Sequence, residues 1–458
     1  MALTDHSATP ASLFAGLVAR LRAILTERSD QRMAQLAAGQ VFLVRVANAM
    51  LTLLSQVLLA RWMGAFEFGV YVYAWTMVLM IGCLSDMGLA SAARRFIPEY
   101  TSLNAPDKLR GFLSGSRWLA FAISTVIGAT GVTVIYFAKP WIDSFAVVPL
   151  YLACAIVPIY GLVQMQAGIA QSYDWPNLAL MPFYIIRTTV VMLAMGAIWL
   201  IGAATDAITA MLVSVIAVYA VTIGQGFVLE RRLKDKVPAG ARAYDIKIWL
   251  STSLPIFVVE GFYLLLTYVD ILAIEHFRSP EDVAVYYAGA RLLAIVAFVY
   301  FAIASSTAHK FTEYHVAGDK EKLAAFFAQT IRWTFWPSLA VCAGILLLGK
   351  PLLYLFGPNF QAAYPVMFIL AVGMMSRAAV GPAERLLNML GDQKKCAAIY
   401  AGAFAINLVL CVVLIPRIGI EGAGVATSSA LIIESILLYY VARKRLGLPL
   451  FMSGKARA

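Results

Sequence analysis

Arg45, Arg187, Arg291 and Arg377 each interrupt a stretch of otherwise apolar residues, and a guanidinium in such surroundings points to anion binding. It stays charged in any protein environment and offers a planar fork of donors that matches phosphate or carboxylate oxygens. Glu260, Asp270 and Glu384 stand in comparable stretches. Carboxylates there pair with an arginine, carry a coupling ion, H+ or Na+, or stand at lipid-facing helix ends. Asp86, in the string Ser85-Asp86-Met87-Gly88, is a candidate gate or helix-end residue. Glu434 is a further acid with no obvious partner in the sequence. Glu384 and Arg385 are adjacent and point to different faces of a helix, so they are not expected to pair with each other.

Other chemistries find little support. The five cysteines, Cys83, Cys154, Cys342, Cys396 and Cys411, stand singly in or beside apolar stretches and suggest neither a disulfide framework nor a metal site. The four histidines, in the N-terminal tail and in or beside loops, lack ligand spacing. Gly344 to Pro351 begins as a phosphate-binding loop but ends in proline, where serine or threonine is needed to hold magnesium, and its interior is wholly apolar. No ATPase domain, catalytic residue or cofactor is therefore expected.

The elements that must position these charges are membrane spans. Hydrophobic residues make up 61% of the 458 and charged residues 13%, against about 25% charged in a soluble domain. Twelve windows of about 20 apolar residues, the length that crosses a hydrocarbon core, fall between residues 37 and 441. Most basic residues lie in the two tails and the even-numbered connections, with only Arg61, Lys139, Arg278, Lys350 and Arg417 on the other side. That bias places both termini in the cytoplasm. The net charge of +11 then reflects topology and an anionic inner leaflet rather than a nucleic-acid surface. No cleavable signal peptide is expected; Phe14, Leu17, Val18, Leu21 and Leu25 instead suggest an amphipathic surface helix.

One passage occurs twice. Phe96 to Trp118 carries Glu99-Tyr100, Asp107-Lys108-Leu109 and Arg117-Trp118; Phe311 to Trp333 carries Glu313-Tyr314, Glu321-Lys322-Leu323 and Arg332-Trp333. A duplicated loop between apolar runs predicts two similar halves, and six spans per half makes the repeat parallel. The expected organisation is a tail (1–35), a six-helix lobe (36–229), a cytoplasmic linker (230–247), a second six-helix lobe (248–441) and a basic tail (442–458). Arg117 and Arg332 coincide between the copies, as expected of interfacial anchors beside belt tryptophans. Arg45, Arg187, Arg291 and Arg377 have no counterpart in the other copy, so the shared fold does not demand them and a central cavity is their expected place, with a structural ion pair between helices as the alternative.

Residues 60–73 (ARWMGAFEFGVYVY) and 85–100 (SDMGLASAARRFIPEY), with MLGDQKK at 389–395 and LIPRIGIEGAGVATSSA at 414–430, resemble the polysaccharide-export flippases. These belong to the multidrug/oligosaccharidyl-lipid/polysaccharide exporter superfamily. The resemblance implies an all-α, multi-pass protein of the bacterial plasma membrane with a central cavity open alternately to either side. It also implies a polyprenyl-diphosphate-linked glycan as substrate, destined for O-antigen, capsule or exopolysaccharide. Membrane lipids, a glycan polymerase and glycosyltransferases are the corresponding partners. The alternative within the superfamily is a cation-coupled multidrug exporter, whose cavity should be neutral or acidic. Tyr71, Tyr73, Trp75, Tyr263, Tyr268, Tyr286 and Tyr287 could stack on sugar faces, although an aromatic belt at the outer interface is the commoner use of such residues.

Overall fold

A computed structural model describes the backbone of residues 30–446 and the side chains of 46–446, except 259, 305, 306, 308, 309, 312, 316 and 320. The proposed surface helix near Phe14–Leu25 and most of the basic C-terminal tail lie outside the described residues. Packing divides the chain between Ala47 and Asn48, and the helical bundle belongs to the larger unit that begins at Asn48. Among the described residues every regular element is helical. In chain order they are α1 (Asp30–Ser85), α2 (Leu89–Ser102), α3 (Pro106–Ala138), α4 (Ser144–Ser172), α5 (Pro176–Leu180), α6 (Arg187–Leu200), α7 (Ala207–Lys234) and α8 (Ile246–Phe277). The second half continues with α9 (Pro280–Leu293), α10 (Val296–Val316), α11 (Lys320–Leu347), α12 (Gly349–Tyr354), α13 (Tyr364–Val380), α14 (Ala383–Met389), α15 (Gln393–Ile418) and α16 (Ile420–Leu446).

Among the described residues, ten helices are long and apolar enough to cross a membrane, or eleven if the pair around the 44° bend between α9 and α10 counts as one span. The sequence divides the same residues into twelve. The difference lies at the start, where 57 residues from Val46 to Ser102 run as one helical stretch. Straight, that stretch would reach about 85 Å at 1.5 Å per residue, far beyond a hydrocarbon core of about 30 Å. It is broken at Gly64, whose φ of 79° and ψ of 170° are open only to glycine. A second interruption separates α13 from α14 at Gly381-Pro382, with Gly381 at φ 59°.

The repeated passage builds the same unit twice, a helix, a tight turn and a second helix. Phe96 is buried against Tyr100 and Phe112, with ring centroids at 5.7 and 5.3 Å. Phe311 is buried against Phe326 and Phe327 at 5.6 and 6.0 Å. Phe112 and Phe327 occupy equivalent places in the repeat and neither is accessible. The two turns are finished differently. Asp319 accepts the Lys322 backbone N–H at 2.9 Å, and the Lys322 ammonium holds its carboxyl below the usual range; in the first copy Pro106 opens the helix instead. Trp118 and Trp333 are 70% and 47% exposed.

The halves meet most extensively at the end opposite the linker. One apolar core there draws on Phe68 and Met195 from the first half and Tyr286 and Phe360 from the second. Gly69 sits so close to Pro280 that a Cβ would overlap the Pro280 carbonyl. Gln56 donates to the Tyr287 hydroxyl at 2.6 Å, and Arg61 reaches the carbonyls of Leu355 and Tyr354 at 2.7 and 2.6 Å. Towards the linker there are two apolar cores, one around Phe96 and Phe112 of the first half that also takes in Trp249 at the start of α8, and another within the second half around Phe327, Leu387 and Tyr400. Contact across the halves at that end is made by α8 against α2 and α3, where Gly88 lies against Ser253, Ser91 donates to Glu260 at 2.7 Å, and Trp249 meets Phe112 at 5.2 Å and donates to the Tyr100 hydroxyl at 3.1 Å.

Candidate functional site

Arg187 opens α6 directly after a π-helical turn, Met181–Ile186. Pro182 lies in that turn and lacks the N–H an α-helix would use, so a wider turn is accommodated there; π turns recur at functional positions. The guanidinium is clamped between Trp75 and Phe183, at 4.3 and 4.8 Å from their ring centroids. Trp75 stacks in turn on Tyr71, at 6.4 Å. Among the described residues the Arg187 donors reach only the Phe183 carbonyl at 3.1 Å and the Thr188 hydroxyl at 3.2 Å. No described carboxylate forms an ion pair with it. Each flanking ring contributes roughly 0.5–2 kcal/mol of cation–π attraction, enough to hold the charge in place without satisfying its donors.

Among the described residues, Arg187 interacts electrostatically with the tyrosines Tyr71, Tyr160, Tyr184 and, from the other half, Tyr287. Arg291, on the last turn of α9 before the bend, lies near Tyr268, which in turn neighbours Tyr184 and Tyr287. Arg291 likewise joins no ion pair among the described residues. Two arginines, one from each half, thus border a common tyrosine cluster where the halves face one another. Tyr71 and Tyr286 are buried and so are not part of an outer lipid belt, while Tyr73, Trp75, Tyr263, Tyr268 and Tyr287 are half-buried.

The other sequence candidates are placed elsewhere. Arg377 pairs with Glu434 at 3.5 Å, and Glu434 is fully inaccessible with no hydrogen bond to either oxygen. Tyr263 and Tyr300 flank the guanidinium at 5.6 and 5.5 Å beside a cavity of about 100 Å³. Glu434, without a visible partner in the sequence, therefore has one across the α13–α16 packing. Asp270 pairs with no arginine among the described residues. It accepts from the Tyr286 hydroxyl at 2.6 Å, the Thr427 hydroxyl at 3.2 Å and the Ile271 N–H at 2.8 Å, a buried hydrogen-bonded cluster joining α8, α9 and α16. Glu260 is exposed, bonded to Ser91, whose hydroxyl also takes a bond from Arg94 at 3.1 Å. Glu384 accepts from Asn388 at 3.3 Å. Asp86 lies at the break between α1 and α2 and accepts the N–H groups of Ala90 at 3.0 Å and Gly88 at 3.4 Å. The side chain of Arg45 is not among those described.

The sequence reading missed Tyr160, Phe183 and Tyr184. The available signal was Met181-Pro182 inside a predicted span, a helix irregularity one turn before a lone arginine.

A sequence profile described as polysaccharide biosynthesis protein matches residues 38–308, more than half of the chain. The chain belongs to that family. A second profile, MatE, matches residues 255–413. This family member is 24% identical over 406 residues to the probable low-salt glycan biosynthesis flippase Agl15 of Haloferax volcanii, covering 87% of this chain and 81% of the relative. Its fold is shared with an inward-facing multidrug resistance MATE transporter of the MOP superfamily (TM-score 0.69, 14% identity, 89% and 98% covered). The lipid II flippase MurJ shares it too (TM-score 0.68, 15% identity, 88% and 87% covered). The protein is a multi-span membrane protein of the transporter type, as its sequence strings imply, and not an enzyme.

Proposed function

We propose that this family member translocates a polyprenyl-diphosphate-linked oligosaccharide across the bacterial plasma membrane by alternating access of two six-helix lobes, with both termini and the linker cytoplasmic. The observation that carries the reading is the pair Arg187 and Arg291, from opposite halves, neither joined to a carboxylate among the described residues and both bordering one tyrosine cluster. A cation kept from acidic partners in an apolar protein is poised for an anion from outside. The diphosphate supplies it, through charge-assisted bonds to the guanidinium donors. Neighbouring tyrosine hydroxyls and the Trp75 ring suit sugar hydroxyls and faces, while the polyprenyl tail remains in lipid. The name of the Haloferax volcanii relative agrees with a glycan cargo. A shared core at the end away from the linker, with two cores towards it, fits a state open to the cytoplasm.

The cation that drives the cycle, H+ or Na+, is assigned to the carboxylates Asp270, Glu260 and Glu384, with the enclosed oxygens around Asp270 the most suitable. The test of the main reading is surface polysaccharide in cells carrying Arg187→Ala or Arg291→Ala at wild-type protein level. Loss of polysaccharide is expected in both, and wild-type polymer in both would refute the assignment. Arg187→Lys should restore only part, because an ammonium keeps the charge without the planar fork. The MatE match over residues 255–413 favours a second reading, cation-coupled drug export. A deletion strain with altered drug susceptibility and an unchanged envelope would select it.

A further inference from the structure

A sizeable cavity lies outside the interface of the halves. It measures about 660 Å³ and is bounded by α3, α4, α7 and the non-helical segment 235–245 that leads to α8. That segment does not hang free. The Ala243 N–H donates to the Asp107 carbonyl at 3.0 Å, Lys108 pairs with Asp245 at 3.1 Å, and Arg110 donates to the carbonyls of Ala241 and Pro238 at 2.7 and 3.1 Å. Glycines make the fit possible: a Cβ on Gly111 would overlap the Ala243 carbonyl, and one on Gly240 would come within 2.8 Å of the Arg110 guanidinium. The linker is a strap laid along α3, roofing the cavity.

Four cations line the cavity, Arg110, Arg117, Lys234 and Arg242, against a single carboxylate, Glu230. Arg117 is paired with Glu230 at 2.6 Å, whereas Lys234 has no ion pair among the described residues and Arg242 reaches only the Ser114 hydroxyl, at 3.3 Å. Trp118 and Phe121 form an apolar flank on α3. Gln166 also lines the cavity; it is 6% exposed and its Oε1 has no hydrogen-bond partner. A buried amide left unpaired costs about 1–3 kcal/mol, so a group entering the cavity has something to satisfy.

We propose that this cavity binds the headgroup of an anionic glycerophospholipid from the leaflet on the linker's side. The phosphodiester takes the surplus positive charge, a headgroup hydroxyl, which both donates and accepts, completes the Gln166 amide, and the acyl chains leave over Trp118 and Phe121. The site does not depend on what the transporter carries. Because its roof is the strap between the halves, an occupied site would hold the strap to α3.

Native mass spectrometry of the full-length protein released from nanodiscs of mixed phosphatidylglycerol and phosphatidylcholine tests the proposal. One retained phosphatidylglycerol per chain is expected. Lys234→Ala with Arg242→Ala should weaken phosphatidylglycerol binding on the order of thirtyfold, at about 1 kcal/mol per basic residue. Gln166→Leu should remove the preference for phosphatidylglycerol over phosphatidic acid, which lacks the headgroup hydroxyl, while leaving phosphatidic acid bound. Undiminished retention in the folded double variant would overturn the site. Displacement by millimolar glycerol 3-phosphate would overturn the lipid assignment in favour of a soluble phosphate ester.

Discussion

Arg187 and Arg377 are the same residue type in comparably apolar helices, and the structure treats them differently. Arg377 has a carboxylate, Glu434, buried with no other polar contact; Arg187 has two aromatic rings and no carboxylate among the described residues. Truncating one partner of a buried ion pair leaves the other charge stranded, at about 3–5 kcal/mol, whereas replacing both with apolar side chains is often neutral. Arg377→Ala should therefore destabilise the protein by about 3 kcal/mol, and Arg377→Met with Glu434→Leu should recover most of it, read as unfolding midpoints in detergent. If the stable double variant still transports, Arg377 serves the fold; if it is stable and inactive, Arg377 serves the cargo. Arg377 and Arg187 were indistinguishable in the sequence, because Glu434 lies 57 residues from Arg377 in the chain and only the packing of two helices brings them together.

At the scale of elements, the informative positions are the breaks. Gly64 divides the first helical stretch with a backbone conformation that side-chain-bearing residues avoid, although a Cβ there would touch nothing within 4 Å. Gly64→Ala should thus cost about 1–3 kcal/mol from backbone strain alone, measurable as a lower melting temperature without any steric contact to blame. Asp86 anchors the start of α2 through the Ala90 and Gly88 N–H groups, so Asp86→Ala should cost about 1 kcal/mol, as for a lost helix cap. The apolar windows located most of these helices, since composition over about 20 residues is a local property. They merged α13 with α14 and missed the π turn, because apolar content barely changes across Gly381-Pro382 or Met181–Ile186.

At the scale of the molecule, the two halves are joined at one end by Gly69 on Pro280, Gln56 on Tyr287 and a common core. Alternating access requires that junction to open. Gly69→Val, whose side chain cannot fit beneath the Pro280 carbonyl, should favour the opened state. It should speed thiol labelling of Gln56→Cys in a background without the five native cysteines; an unchanged labelling rate would show that this contact does not govern closure. The sequence by itself determined that the chain is an all-helical, multi-pass membrane protein with a duplicated helix-turn-helix passage, because hydropathy and repetition are written in consecutive residues. Family membership was equally legible in strings such as SDMGLASAARRFIPEY. Which charges stand unpaired and which are paired, that Arg187 and Arg291 border one tyrosine cluster, and that the linker is a strap over a basic cavity were decided only by tertiary structure. Each depends on residues far apart in the chain, and a side chain's electrostatic role is set by its neighbours in space rather than by its neighbours in sequence.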